Sequence, residues 1–136
     1  AAHEAFLRAS VGTEEPAGGM YYNDQPADMI LYQGLANLKL GRDTEARSRF
    51  HKLVDYGERH IFDTVRIDYF AVSLPDLQLF DDNLTLRNKA HCHYLIGLGS
   101  FGLGDRVRAE KSFRETLSID SAHMGAILHL RLLNAQ

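Results

Sequence analysis

The sequence predicts an all-α fold, an antiparallel array of about seven helices arranged as hairpins, and three observations carry that prediction. The first is an internal repeat: Gly34-Leu35, Leu40-Gly41, Ala46 and Phe50 recur as Gly97-Leu98, Leu103-Gly104, Ala109 and Phe113, each pair 63 residues apart. The second is the chemistry of those positions. Leu-Gly marks a helix end with a left-handed glycine cap, and Ala followed by Phe four residues later lies on one face of a following helix. A small residue in the first helix lets the two backbones approach, and Ala beside Phe packs small into large. The third is apolar patterning. Ala90 to Gly104 carries no Asp, Glu, Lys or Arg and reads as a buried helix, and the last helix is apolar nearly all round.

Each element follows in order. Ala1 to Ser10 predicts a helix with Ala5, Phe6 and Ala9 on one side, and Val11 to Asp24 a loop rich in Gly, Glu and Pro. Pro26 suits the first turn of the next helix. The first hairpin spans residues 27–60 and the second 90–123. Between them, residues 61–89 form an inserted segment without the repeat's glycines. It has Asp63 as an N-cap candidate, an apolar run through Val65, Ile67, Tyr69, Phe70 and Val72, and a break at Leu74-Pro75-Asp76. This predicts one extra helix and a turn, followed by Asp82 capping a long first helix of the second repeat. Ser121 is the expected cap of a terminal helix over 121–134.

At 136 residues, with 45% hydrophobic and 24% charged residues, the chain is expected to fold as one domain without disulfides or a structural metal. Cys92 has no intramolecular partner, since it is the one Cys. A net charge of -3 without a dense basic run argues against nucleic acid, and no stretch is apolar and long enough for a bilayer. The start lacks an initiator Met, a basic n-region and an apolar run. The expectation is therefore a piece of a longer protein, and a single Cys fits a reducing, cytoplasmic compartment.

The repeated residues resemble the tetratricopeptide repeat (TPR) family, whose unit is about 34 residues long. The resemblance rests on Gly in the first helix, Leu-Gly at the turn, Ala early in the second helix and an aromatic four residues on. Thr116-Leu117-Ser118-Ile119-Asp120-Ser121 resembles the family's closing segment, with Ser121 where Pro usually stands. Asn37 and Ser100 replace a usual Tyr, Gln33 a usual Leu, and Thr116 an Ala. A second resemblance joins Tyr21 to Pro26 and Asp68 to Asp76 to the C-terminal helical region of long bacterial proteins, some carbohydrate-related. The TPR resemblance implies a superhelix whose concave face is lined by first-helix positions, here Leu31, Leu35 and Leu38 with Tyr94, Leu98 and Phe101. It also implies that the carboxylate clamp of some members is absent, because Leu31, Leu35, Tyr94 and Leu98 stand where that clamp has Lys and Asn.

No catalytic, metal or cofactor site is expected. In His91-Cys92-His93, successive helical side chains diverge by about 100°, so the two His cannot converge on one ion. Asp76, Asp81 and Asp82 read as helix caps. Glycines at 97, 99, 102 and 104 lack the strand and Lys of a phosphate loop and fit close helix packing. Tyr21 and Tyr22 beside the glycine-rich loop form a candidate ligand loop. The function expected is a non-enzymatic interaction or scaffolding module. It binds a protein or peptide, or another domain of its own chain, through the apolar concave face, unless residues 61–89, the N-terminal helix or a second subunit fills that face. The alternatives are a helical accessory domain supporting an enzyme active site in a longer protein, and a homo-oligomer joined through the apolar ends.

Overall fold

A computed structural model describes residues 1–19, 25–65 and 75–135, and of residues 75–82 the backbone alone. Among the described residues there are six helices and no strand. These are α1 (Ala2–Ala9), α2 (Ala27–Lys39), α3 (Asp43–His60), α4 (Pro75–Leu103), α5 (Arg106–Ile119) and α6 (Met124–Asn134). Each packs chiefly on its neighbours in sequence, and α4 also touches α2 and α6. The all-α class holds. Six described helices stand against the roughly seven that the sequence predicts, and the difference arises between residues 61 and 89.

There, α4 starts at Pro75 and runs unbroken for 29 residues. Proline fits this start because the first helical N–H has no intrahelical acceptor to lose. Asp82 therefore sits inside the helix and is not an N-cap. Much of the predicted insertion is an N-terminal extension of α4, and most of the separate helix expected upstream falls on residues 66–74, outside the described residues. Asp63 closes the end of α3: its backbone N–H donates to the His60 carbonyl at 3.0 Å, and its carboxylate meets His60 Nδ1 at 2.6 Å.

Both α2 and α4 end in the same turn. Gly41 and Gly104 adopt φ of 75° and 81°, a left-handed conformation costly for any residue with a Cβ. The Arg42 N–H then reaches back to the Asn37 carbonyl at 2.8 Å, and the Asp105 N–H to the Ser100 carbonyl at 2.9 Å. These bonds satisfy carbonyls that the helix end leaves without partners. Asp105 next caps α5, its Oδ1 accepting the Arg108 N–H at 3.2 Å. The cap of α6 is His123, whose Nδ1 accepts the Ala126 N–H at 3.1 Å. Ser121 lies outside the helix, because Asp120 Oδ1 takes the Ala122 N–H and closes a turn first.

The core follows the 63-residue offset. Ala46, Phe50, Ala109 and Phe113 are all essentially inaccessible. The Phe50 ring lies against Gly34 of its own hairpin, and the Phe113 ring lies against Gly97, so closely that a Cβ at either glycine would overlap the ring. Phe50 also presses on Gly102 of α4. Gly99 faces Val54, and Gly57 faces the Cys92 carbonyl and Ile96. Small residues thus bring α3 and α4 into close contact and join the two hairpins through one aromatic ring.

Candidate functional site

The six residues expected on a concave face divide by depth. Leu31 and Leu98 are wholly buried and Tyr94 is 7% exposed, so these three are core in this arrangement and not a contact surface. Leu35 and Phe101 pack half-buried against the core, and Leu38 is 39% exposed. Tyr21 and Tyr22 lie outside the described residues.

What packs over Tyr94 is a buried histidine. His129 of α6 has no accessible surface and sits among Tyr32, Tyr94, Phe101 and Phe113, with ring centroids 5.9 to 6.3 Å away. Its Nδ1 lies 2.7 Å from the Gly125 carbonyl, a pure acceptor, which places the proton on Nδ1. Nε2 is then the acceptor for the Tyr32 hydroxyl at 3.0 Å, and the Tyr94 hydroxyl lies 3.4 Å from Nδ1. One imidazole therefore ties α2, α4 and α6 together. Burial, with the Asp28 carboxylate nearby, raises the Tyr32 and Tyr94 phenols above their ordinary value and keeps both protonated. The sequence signal for this cluster was faint, a single His between Leu128 and Leu130 in a mostly apolar helix.

Beside the cluster, α1 and α2 enclose a groove of about 550 Å³ lined by Phe6, Ala9, Tyr32, Leu35, Ala36, Leu38 and Lys39. Its lining is apolar apart from the Tyr32 hydroxyl and the Lys39 ammonium. Phe6 comes from a short amphipathic helix, placed there because α1 has no other apolar surface on which to lay its apolar side. Leu35 and Leu38 are thus partly covered by the chain's own first helix. On α6, Met124, Leu128 and Leu132 are 74%, 48% and 41% exposed and follow each other by four residues, forming a second apolar stripe.

His91, Cys92 and His93 diverge. His91 Nε2 lies 2.8 Å from the Ala17 carbonyl, and His93 Nδ1 lies 3.1 Å from Glu115 Oε2. Cys92 is buried with its thiol 3.8 Å from Asn88 Oδ1, and burial pushes its pKa up to about 11. Such a thiol stays protonated and is a poor nucleophile. Among the described residues, no group of three or more His, Cys, Asp or Glu converges as a metal site, and no helix is long and apolar enough to cross a membrane.

His93 and His123 are both held below the ordinary histidine value of 6.5, chiefly by burial, which outweighs Glu115 at one and Asp120 at the other. The unfolded chain therefore binds protons more readily than the folded one. Stability is fully present above pH 6.5 and falls as pH drops through the folded-state values. Thermal melts by circular dichroism should show Tm declining from pH 7 to pH 5, with a flatter profile for His93→Gln/His123→Asn, in which Asn retains a capping oxygen. An unchanged slope in that double variant would assign the acid sensitivity to other groups. No protein-family model matches the chain, and no solved structure matches it significantly.

Proposed function

We propose that this chain is a non-catalytic interaction or scaffolding module, built on two TPR-like hairpins, which takes apolar side chains of a protein segment or neighbouring domain. The observation that carries this reading is the groove between α1 and α2, where Tyr32, Leu35 and Leu38 meet Phe6 and Ala9 around about 550 Å³. The TPR-like reading is supported by the equivalent close approaches of Gly34 to Phe50 and Gly97 to Phe113, and by the matching turns at Gly41 and Gly104. The contact surface differs from the one implied by the sequence. Leu35 and Leu38 remain in it, Leu31, Tyr94, Leu98 and Phe101 leave it, and Phe6, Ala9 and Tyr32 join it. A groove of this volume and lining suits one apolar face of an amphipathic helix, whose anchors recur every three or four residues.

The test is a display library of 15-residue amphipathic helices selected on the chain and re-probed on Leu38→Lys, whose side chain is already half in solvent. Enriched apolar peptides that lose at least about tenfold in affinity on the variant, with its helical signal and Tm unchanged, support the proposal. Peptides that bind the variant as well as the wild type, or no enrichment above a charge-matched scrambled library, would refute it.

A further inference from the structure

The loop after α1 does not hang free. It crosses three consecutive helices, and side chains of those helices read it at intervals. Gln33 Nε2 of α2 donates to the Val11 carbonyl at 3.4 Å. Lys52 of α3 holds Glu14 at 2.6 Å and Glu15 at 2.8 Å, with Arg49 3.5 Å from Glu14. On α4, His91 Nε2 lies 2.8 Å from the Ala17 carbonyl, and Arg87 donates to the Gly19 carbonyl at 3.5 Å. Over Val11–Gly19 the chain forms no helix or strand. A non-helical segment held by its backbone carbonyls and by two carboxylates is bound as an extended acidic peptide is bound in a groove.

We infer that Gln33, Arg49, Lys52, Arg87 and His91 form a binding track for an extended acidic peptide of a partner protein, and that Val11–Gly19 is its resident competitor. The strap shows what the track selects: an adjacent acidic pair at Lys52 and Arg49, then small residues whose carbonyls reach His91 and Arg87. A pocket of about 400 Å³ that includes Gly18, Arg87, His91, Asp120 and His123 adjoins this end of the track. The strap is displaceable because its ion pairs are solvent-facing. Glu15 is 71% exposed and Glu14 is 42% exposed, and surface pairs of this kind contribute little. Pairing with Lys52 holds the Glu14 carboxyl below its ordinary value, which shows the attraction without making it strong. The track and the α1–α2 groove are lined by different residues, so Lys52→Glu tests the one and Leu38→Lys the other.

The experiment uses a fluorescent peptide with the sequence of residues 11–19, titrated by anisotropy into the whole chain. In Glu14→Gln/Glu15→Gln the strap is weakened and the track untouched, so the peptide should bind about two- to fivefold more tightly than to the wild type, the gain that loss of a few exposed ion pairs allows. Adding Lys52→Glu should remove that gain, as should replacing both Glu of the peptide by Gln. Equal, weak binding to wild type and double variant, with both folded, would overturn the proposal and leave the strap a structural tether. An oligonucleotide that binds as tightly as the peptide would also overturn it, since the track would then read bare negative charge. Should the double variant lose helicity, wild-type chain titrated with the peptide at millimolar concentration serves instead. Amide shifts confined to residues around Arg49, Lys52 and His91 support the track, and shifts elsewhere or none refute it.

Discussion

Leu98→Lys is expected to abolish the cooperative fold, not a binding contact. Leu98 has no accessible surface and packs in the central cluster with Leu31, Leu95 and Tyr94. A lysine there must bury an ammonium with no acidic partner within that cluster, or pull the helix apart to hydrate it. An unpaired buried charge costs several kcal/mol, against a total stability of about 5–15 kcal/mol for a domain. Urea titration followed by far-ultraviolet circular dichroism should show a broad, non-cooperative loss of helix or none to lose. A sharp transition near the wild-type midpoint would mean that Leu98 faces solvent, and would restore it to the binding surface. Leu38→Lys serves as the control, because Leu38 already meets water and its variant should melt as the wild type does.

Phe50→Ala is the second large effect, with an expected loss of about 3–5 kcal/mol. The ring is 1% exposed and fills the space between Gly34 of α2 and Gly102 of α4. Deleting it leaves a cavity that two glycines cannot fill, since neither has a side chain to move in. Phe113→Ala removes the same chemistry from the second hairpin, where Gly97 is the facing residue. The two differ in reach, because Phe50 also joins one hairpin to the next. A double-mutant cycle resolves this. Gly102→Ala should destabilise the wild-type chain by about 1–3 kcal/mol through overlap with the ring, and that cost should vanish in the Phe50→Ala background. Additive losses would show that ring and glycine are not in contact.

These residues also mark how far the sequence could be read. The all-helical class and the glycines of the close approaches were legible, because small residues at helix contacts leave a trace when they recur 63 residues later, but the sequence set Phe50 and Phe113 beside Ala46 and Ala109, whereas the rings lie against Gly34 and Gly97. The turns at Gly41 and Gly104 were legible for a similar reason, since few residues accept that backbone. The start of α4 was not. Asp82 looks like a cap and Pro75 like a break, yet a proline at a first helical position is compatible with both readings, and the choice depends on what the preceding turn can cover. The cap of α6 escaped because an imidazole nitrogen can replace the usual hydroxyl or carboxylate. The candidate site was least legible. First-helix positions alone do not say that His129 will pack on Tyr94, nor which of the segments able to fill the apolar face, residues 61–89, the N-terminal helix or a second subunit, will lie beside Leu35. Those outcomes depend on contacts between elements far apart in the chain. The strap at Glu14 and Glu15 read as a polar loop, and its partners lie on three different helices.

The double grip on the Phe50 ring also sets an order of events during synthesis. The first hairpin, complete in sequence at His60, cannot finish its own core, because one of the two surfaces that seat the ring is Gly102, more than forty residues downstream. A nascent chain emerging from the ribosome at about 5–20 residues per second would hold that aromatic surface exposed for some seconds. During this interval the molecule is a half-built hairpin whose largest apolar side chain is covered on the Gly34 side alone. It becomes a committed fold only when the far end of α4 arrives.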